Sequence, residues 1–326
     1  MFNISLILFI FAELSFYLLI AQTGIVEVFH SDIQTIIYLP IGGVLGTFFI
    51  SYIKFKKEYI TFALLALQLA ITLFYPHLSS VMLFLLGLAV GGISPIVIDT
   101  LKKATLVDLL FSLAASYTLG TFLFTSDPSH RMLLGIILTS LAIVSYVFQM
   151  NTQVKIYKSF YSYPLYMMVL WVFLDSSLFE SLSRDSVTSI WRDGYTIEII
   201  LFHILGVLAA LFIQLEYYKK SLLITILFSF SYLFYFTNES LILSIVYPFV
   251  ISYYNIVILQ SLVKIKSFKT ISLFMVFIGW GASGAGLMVA TQHLVSYVPI
   301  ILSLLLIRDI LREVYLTKGA LSWQKD

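Results

Sequence analysis

Two acidic residues stand near the middle of long apolar stretches of this sequence. Glu13 lies in the first stretch and Asp175 in the seventh, and each is followed two residues later by a serine. At about 1.5 Å of rise per residue, helices over these stretches place both acids near the centre of a bilayer. A charged carboxylate at that depth costs at least about 2.5–3.5 kcal/mol, so it faces the protein interior, is paired, or is protonated. We expect the two acids to bind a cation or exchange a proton; the plainer alternative is a structural hydrogen bond to a neighbouring helix.

Two further polar residues lie in or beside these stretches. His203, in the eighth stretch, can relay a proton near neutral pH or simply make a helix–helix contact, and the sequence leaves both interpretations open. Glu180 is expected to pair with Arg184 at the end of the seventh stretch. The chain has no cysteine, which excludes disulfides and thiolate ligands. Because no metal-binding or nucleophile–base motif is present either, we expect no catalytic residues, no metal and no cofactor.

The elements that position these residues are predicted to be membrane helices. The chain of 326 residues is 60% hydrophobic and 11% charged, whereas soluble domains are usually about 25% charged. Its apolar stretches are about 20 residues long and lack two-residue alternation, which favours helices over the strands of a barrel. There are twelve such stretches, so the sequence predicts an all-α, polytopic membrane protein.

The basic residues alternate between successive polar breaks. One set of breaks holds only Arg131, Arg184 and Arg192 of the 19 basic residues, and the other set holds the rest. Cytoplasmic loops retain Lys and Arg, so the lysine-rich breaks and both termini are predicted to be cytoplasmic. We therefore place the chain in the cytoplasmic (inner) membrane and attribute its net charge of +2 to topology rather than to nucleic-acid binding.

The two halves of the chain share short patterns. Phe11-Ala12-Glu13-Leu14-Ser15 and Phe173-Leu174-Asp175-Ser176-Ser177 both fit Phe-x-acid-x-Ser, six stretches apart. This favours an internal duplication, with residues 1–150 as one six-helix bundle, 151–162 as a cytoplasmic linker and 163–326 as the second bundle. Transporters are often built from such repeats, with the binding site at the midplane between them.

Twelve helices as six plus six, with both termini inside and a basic loop after the second helix, resemble the major facilitator superfamily. The glycine-rich segments 86–95 and 279–286 are similar to close-packed helices of that family. The family's signature between helices 2 and 3 is degraded: Gly43-Val44-Leu45-Gly46 and Lys54-Phe55-Lys56-Lys57 bracket it, but its aspartate is absent. The chain is also short for the family.

The resemblance implies a midplane cavity lined by helices 1, 4, 7 and 10. Tyr17, Tyr253, Tyr254 and Asn255 lie on these helices and are therefore candidate contacts to a solute. The resemblance also implies alternating access, in which two bundles rock about the cavity.

Charged residues cluster where the fourth and fifth stretches meet the predicted cytoplasmic side. Asp99 and Asp108 flank Lys102 and Lys103. Interfacial ion pairs are the simplest expectation for all four residues. A charge network at this position can also act as an inner gate, so Asp99, Lys102 and Lys103 are candidate gating residues.

We interpret the sequence as a secondary transporter that moves a small solute and couples it to protons or a cation through Glu13, Asp175 and His203. The alternative is a non-transporting scaffold or assembly factor on a degenerate transporter fold, which the eroded signature and short chain favour. A lipid-modifying membrane enzyme is a third class, but it lacks an assignable nucleophile or metal set. The expected partners are the lipid bilayer and a small solute, without nucleic acid, and we expect a monomer.

Overall fold

The computed structural model describes residues 3–28, 33–124, 127–149, 162–184, 188–213 and 215–322. Within these ranges the chain is helical and contains no strand, so the predicted all-α class is confirmed there. A helix covers most of each of the twelve predicted stretches. The principal helices are α1 (Ile4–Phe16), α2 (Tyr38–Phe49), α3 (Lys57–Thr72), α4 (Ser80–Leu101), α5 (Leu106–Phe124), α6 (Arg131–Gln149), α7 (Leu165–Arg184), α8 (Thr196–Phe212), α9 (Tyr217–Phe236), α10 (Ser240–Val263), α11 (Phe268–Thr291) and α12 (Val298–Ser322).

Nine helices in the described part of the chain are long and apolar enough to cross a membrane. The chain is therefore a multi-pass membrane protein. The apolar helices Thr196–Phe212 and Val295–Arg308 are shorter, and α3 has 16 residues, with Lys57 and Glu58 in its first turn. That all twelve helices cross the membrane, with both termini cytoplasmic, stays a prediction.

The helices form two compact units. The first contains residues Met1–Val169 and Ile258–Gly284, and the second contains Leu170–Val257 and Ala285–Asp326. The predicted linker 151–162 lies outside the described residues except for Ser162. The division of the sequence into bundles 1–150 and 163–326 therefore stays a prediction.

The first unit is held together by a glycine seam between α2 and α4. A side chain added at Gly42 would collide with the backbone carbonyl of Phe84, and one added at Gly46 with that of Leu88. Gly87 and Gly91 on α4 meet the backbone of α2 in the same way. Small residues spaced four apart on both helices allow this close approach, so the glycines of the second and fourth stretches are needed for packing.

A π-helical segment of α11 docks on this seam. Residues Val276–Ala282 are π-helical, and the indole ring of Trp280 within them packs against Gly43, where a Cβ would collide with it. The indole Nε1 donates a hydrogen bond to Thr47 Oγ1 at 2.9 Å, and the same hydroxyl donates to the carbonyl of Gly91 at 2.8 Å. Thr47 therefore links α2, α4 and α11 within the first unit.

The interior of the second unit is rich in aromatic side chains. Trp171, Phe228, Tyr232, Tyr247 and Tyr254 are buried almost completely. Helices approach closely at two glycines: a Cβ on Gly206 of α8 would collide with the carbonyl of Phe249, and one on Gly286 of α11 with Ser176 of α7. Elsewhere in α11 the glycines are not close-packed, since a Cβ on Gly284 would meet no described atom within 4 Å.

Candidate functional site

Glu13 lies inside the first unit, as its cost in lipid predicts. It projects from α1 and only 7% of its surface is exposed. The amide nitrogen Nε2 of Gln68, on α3, lies 3.4 Å from Glu13 Oε1 and 3.1 Å from Thr139 Oγ1, on α6. Gln68 and Thr139 are fully buried. Three helices thus meet at a polar cluster of one acid, one amide and one hydroxyl, which we call the Glu13 cluster.

The amide oxygen of Gln68 is buried and accepts no hydrogen bond from the described residues. A glutamine side chain carries two donors and an acceptor, and a protonated carboxyl group carries one donor. Gln68 can therefore donate to Glu13 as a carboxylate or accept from Glu13 as an acid after rotation of the amide. The cluster is chemically able to hold either protonation state.

Asp175 lies on α7 in the second unit, half-buried, with a phenol on each carboxylate oxygen. The hydroxyl of Tyr247 donates to Oδ1 at 2.8 Å and the hydroxyl of Tyr254 donates to Oδ2 at 2.7 Å. Tyr247 and Tyr254 are seven residues apart on α10, about two helical turns, so both reach the same neighbour. These three residues form the Asp175 cluster.

Aromatic packing fixes the position of the Asp175 cluster. The ring of Tyr247 lies edge-on to Trp191 with centroids 6.4 Å apart, and Trp191 lies edge-on to Phe179 at 5.1 Å. Tyr232, on α9, donates its hydroxyl to the carbonyl of Leu174 at 2.8 Å, one residue before Asp175. Ring packing therefore positions Tyr247, and the Tyr232 hydroxyl anchors the backbone next to Asp175.

Neither acid has a cationic partner in the described part of the chain. No lysine, arginine or histidine there lies within ion-pair distance of Glu13 or Asp175. Glu180, five residues beyond Asp175, is different, because its Oε2 lies 3.8 Å from Nε of Arg184. The pairing predicted for Glu180 is therefore present, although the distance is long for a hydrogen bond.

His203 makes a contact between α8 and α10. Its Nδ1 lies 2.7 Å from Oγ of Ser252, and the ring also hydrogen-bonds to the backbone of Pro248. Proline lacks an N–H, so the group that it offers the histidine is its carbonyl. This is the helix–helix contact that the sequence left open; a role of His203 in proton relay stays a prediction.

The candidate solute contacts differ in their surroundings. Tyr17 begins a π-helical segment (Tyr17–Gly24) and packs on the apolar core of the first unit. Tyr253 is buried in the second unit, and its hydroxyl donates to no described residue. Asn255 is half-buried on α10.

Part of the predicted charge network is present around Asp99. Lys57 Nζ lies 2.6 Å from Asp99 Oδ2, and Lys102 Nζ lies 2.8 Å from Asp99 Oδ1. Asp99 thus joins the start of α3 to the end of α4. Lys103 makes no ion pair with a described residue, and the gating role of Asp99, Lys102 and Lys103 stays a prediction.

The ion pair expected for Asp108 is wrong. Its carboxylate accepts hydrogen bonds from the backbone and hydroxyl of Thr105, both at 2.8 Å, and from the backbone N–H of Asn3 at 3.0 Å. Thr105 in turn accepts from the backbone of Asp108, which completes a capping box at the start of α5. These N–H and O–H donors occupy the carboxylate, and it forms no ion pair with Lys102 or Lys103.

Comparison with known protein families and with curated proteins finds no match to this chain. The described residues also contain no group of three or more His, Cys, Asp or Glu side chains placed to hold a metal ion. The two acid clusters are therefore the candidate functional sites, each described within its own unit.

Proposed function

We propose that this protein is a secondary transporter of the cytoplasmic membrane, which moves a small solute by alternating access and couples that movement to protons or a cation. One observation carries the proposal. Each compact unit holds an acid within an apolar helix, and the partners of that acid are uncharged: Gln68 for Glu13, and Tyr247 and Tyr254 for Asp175.

The uncharged partners are informative because they leave the charge of the acid free to change. A carboxylate paired with a fixed cation is held in its ionised form, because the opposite charge favours ionisation. Amide and phenol groups can hydrogen-bond to either a carboxylate or a neutral carboxyl group. Glu13 and Asp175 can therefore take up and release a proton or a cation without leaving an unpaired charge on a neighbour.

Alternating access requires that this uptake differ between two states. A ligand shifts a conformational equilibrium only by its difference in affinity for the two conformations. We propose that the two states are alternative arrangements of two six-helix bundles within twelve membrane-spanning helices, with both termini cytoplasmic. Glu13 and Asp175 bind the coupling ion more strongly in one arrangement than in the other.

The proposed solute is a cation, an amine or a neutral molecule. The sequence places no lysine or arginine at mid-depth in an apolar stretch, so an anionic solute would lack a counter-charge there. Tyr253, whose buried hydroxyl has no partner among the described residues, is the proposed hydrogen-bonding contact. Tyr17 and Asn255 are proposed as the other contacts.

Solute-dependent proton movement tests the proposal. The purified protein is reconstituted in liposomes that contain a trapped pH-sensitive dye, and a panel of amines, organic cations and sugars is added under a pH gradient. At least one solute is expected to move protons through the wild-type protein and through Glu239→Gln, which alters an exposed acid before α10. The same solute should move none through Glu13→Gln. If no panel member moves protons or enters the liposomes, the non-transporting scaffold becomes the better explanation.

A further inference from the structure

Three lysine-bearing loops converge at one end of the first unit. They are residues 53–56 between α2 and α3, residues 102–105 between α4 and α5, and residues 264–267 between α10 and α11. Asp99 joins the first two, since it pairs with both Lys57 and Lys102.

Two reciprocal cation–π contacts join the segments that flank the first and third loops. Lys57 Nζ lies 4.2 Å from the ring centroid of Phe268, and Lys269 Nζ lies 4.6 Å from that of Tyr52. Each segment thus offers one lysine to an aromatic ring of the other, across more than 200 residues of sequence. A bias of lysines toward the cytoplasm requires only that they occupy these loops, not that the loops interlock.

Most of the positive charge in this lysine cluster has no counter-charge among the described residues. The cluster consists of Lys54, Lys56, Lys57, Lys102, Lys103, Lys264, Lys266 and Lys269. Lys57 and Lys102 share the single carboxylate of Asp99. The carboxylate of Asp108 already accepts the capping hydrogen bonds at the start of α5. Glu58 makes no ion pair within the described residues. Burial lowers the pKa of Lys264, and a nearby anion would stabilise its charged ammonium form.

Exposed aromatic side chains border the cluster. Phe55 is 75% exposed, and Tyr52 and Tyr59 are also exposed. Aromatic rings beside basic residues at helix ends are typical of the boundary between lipid tails and head groups. Basic groups between helix ends at the cytoplasmic side of a membrane bind anionic head groups.

We propose that this lysine cluster binds the phosphate of an anionic phospholipid head group, with Lys54, Lys56 and Lys266 as its exposed contacts. The bound lipid bridges α2, α3 and α11 and adds to the reciprocal cation–π contacts. A free phosphate compound has the same charge, but the exposed rings of Phe55 and Tyr59 favour a ligand with an acyl chain beside its phosphate. The proposal does not depend on transport and holds equally for a non-transporting scaffold.

Lipid-dependent thermal stabilisation of the purified, delipidated protein tests this proposal in mixed micelles, where membrane orientation plays no part. Phosphatidylglycerol is titrated against phosphatidylcholine, and inorganic phosphate and glycerol 3-phosphate are titrated separately. Wild-type protein is expected to be stabilised by phosphatidylglycerol alone. The triple variant K54Q/K56Q/K266Q is expected to bind it at least tenfold more weakly, because each surface lysine contributes to the attraction of anionic lipid.

Two controls separate the site from general charge. The triple variant K54R/K56R/K266R keeps the charge and should retain binding, and K219Q removes an exposed lysine of α9 in the second unit and should bind as wild type does. Unchanged affinity in the glutamine variant, or an equal loss in K219Q, overturns the proposal. Stabilisation by inorganic phosphate or glycerol 3-phosphate at matched concentration would show that the ligand is a soluble phosphate compound and not a lipid, which overturns the proposal. If the glutamine variant does not fold, loss of the wild-type effect in 0.5 M salt supports the site, and its persistence contradicts it.

Discussion

Tyr254 donates a hydrogen bond from its hydroxyl to Oδ2 of Asp175 at 2.7 Å, which joins α10 to α7. The hydroxyl of Tyr253, one position earlier, is buried and donates to no described residue. Adjacent helix positions are about 100° apart, so only one of the two phenols reaches the acid. The two tyrosines therefore separate the effect of the hydrogen bond from the effect of a buried aromatic ring.

Removing the Tyr254 hydroxyl should destabilise the protein, whereas removing that of Tyr253 should not. Tyr254→Phe deletes a donor to a carboxylate and is expected to lower stability by about 1–2 kcal/mol. Tyr253→Phe deletes a hydroxyl without a described partner and is expected to be neutral or slightly stabilising. Thermal unfolding of both variants in the same detergent measures the difference. Equal losses in the two variants would show that the hydrogen bond to Asp175 adds nothing to stability.

The glycine seam provides a second matched pair of variants. Gly46→Ala puts a methyl group against the carbonyl of Leu88, which is backbone and cannot rotate away, and overpacking of this kind costs about 1–3 kcal/mol. Gly284→Ala places its methyl group where no described atom lies within 4 Å, so its stability should be unchanged or slightly higher. The yield of monodisperse protein on size exclusion, together with the melting temperature, measures both. A stable Gly46→Ala variant would contradict the close contact of α2 and α4.

The positions of the helices could be predicted because each apolar stretch is long enough to span a bilayer and charged residues mark its ends. For example, α4 fills the apolar stretch up to Leu101, and Lys102 and Lys103 follow it directly. The burial of Glu13 was also predictable, since an isolated acid in an apolar span is costly when it faces lipid. The ion pair of Asp99 with Lys102 follows from their spacing on one helix face.

The partners of the acids could not be predicted, because helices that are apolar on every side show no amphipathic pattern from which to read their rotation. Gln68 and Thr139 are single polar residues in two different stretches, and nothing in their spacing pairs them with Glu13. Tyr247 is one of 21 tyrosines, and its contact with Asp175 depends on how α10 is turned. The capping role of Asp108 was missed because its neighbouring lysines suggested an ion pair, whereas the Thr105–Asp108 spacing carried the signal of a capping box.

Membrane topology can be tested with reporter fusions. Because lysine-rich loops are retained in the cytoplasm, fusions after five lysines should read cytoplasmic and fusions at six positions in the intervening breaks should read external. The cytoplasmic positions are Lys57, Lys103, Lys158, Lys220 and Lys269, and the external positions are Asp32, His77, Asp127, Ser189, Glu239 and Gln292. Two adjacent breaks that read on the wrong side would exclude twelve spans with both termini inside.

Coupling through Glu13 and Asp175 predicts a specific pattern among their amide variants. Glu13→Gln and Asp175→Asn keep shape and hydrogen bonding but cannot ionise, so each should abolish accumulation driven by an ion gradient while leaving solute exchange largely intact. If the acids act as one unit, the double variant should be no worse than either single variant. Asp193→Asn, an exposed acid between α7 and α8, is the matched control and should accumulate solute as wild type does.

Coupling through the two acids is tested by the accumulation of one transported solute in proteoliposomes, measured for wild type, Glu13→Gln and Asp175→Asn across a range of pH gradients. If the acids couple transport, wild-type accumulation rises with the gradient, whereas both variants only equilibrate the solute, at similar exchange rates. Full gradient-driven accumulation by both variants would contradict this coupling, and would leave Glu13 and Asp175 as structural hydrogen-bonding groups of the two units.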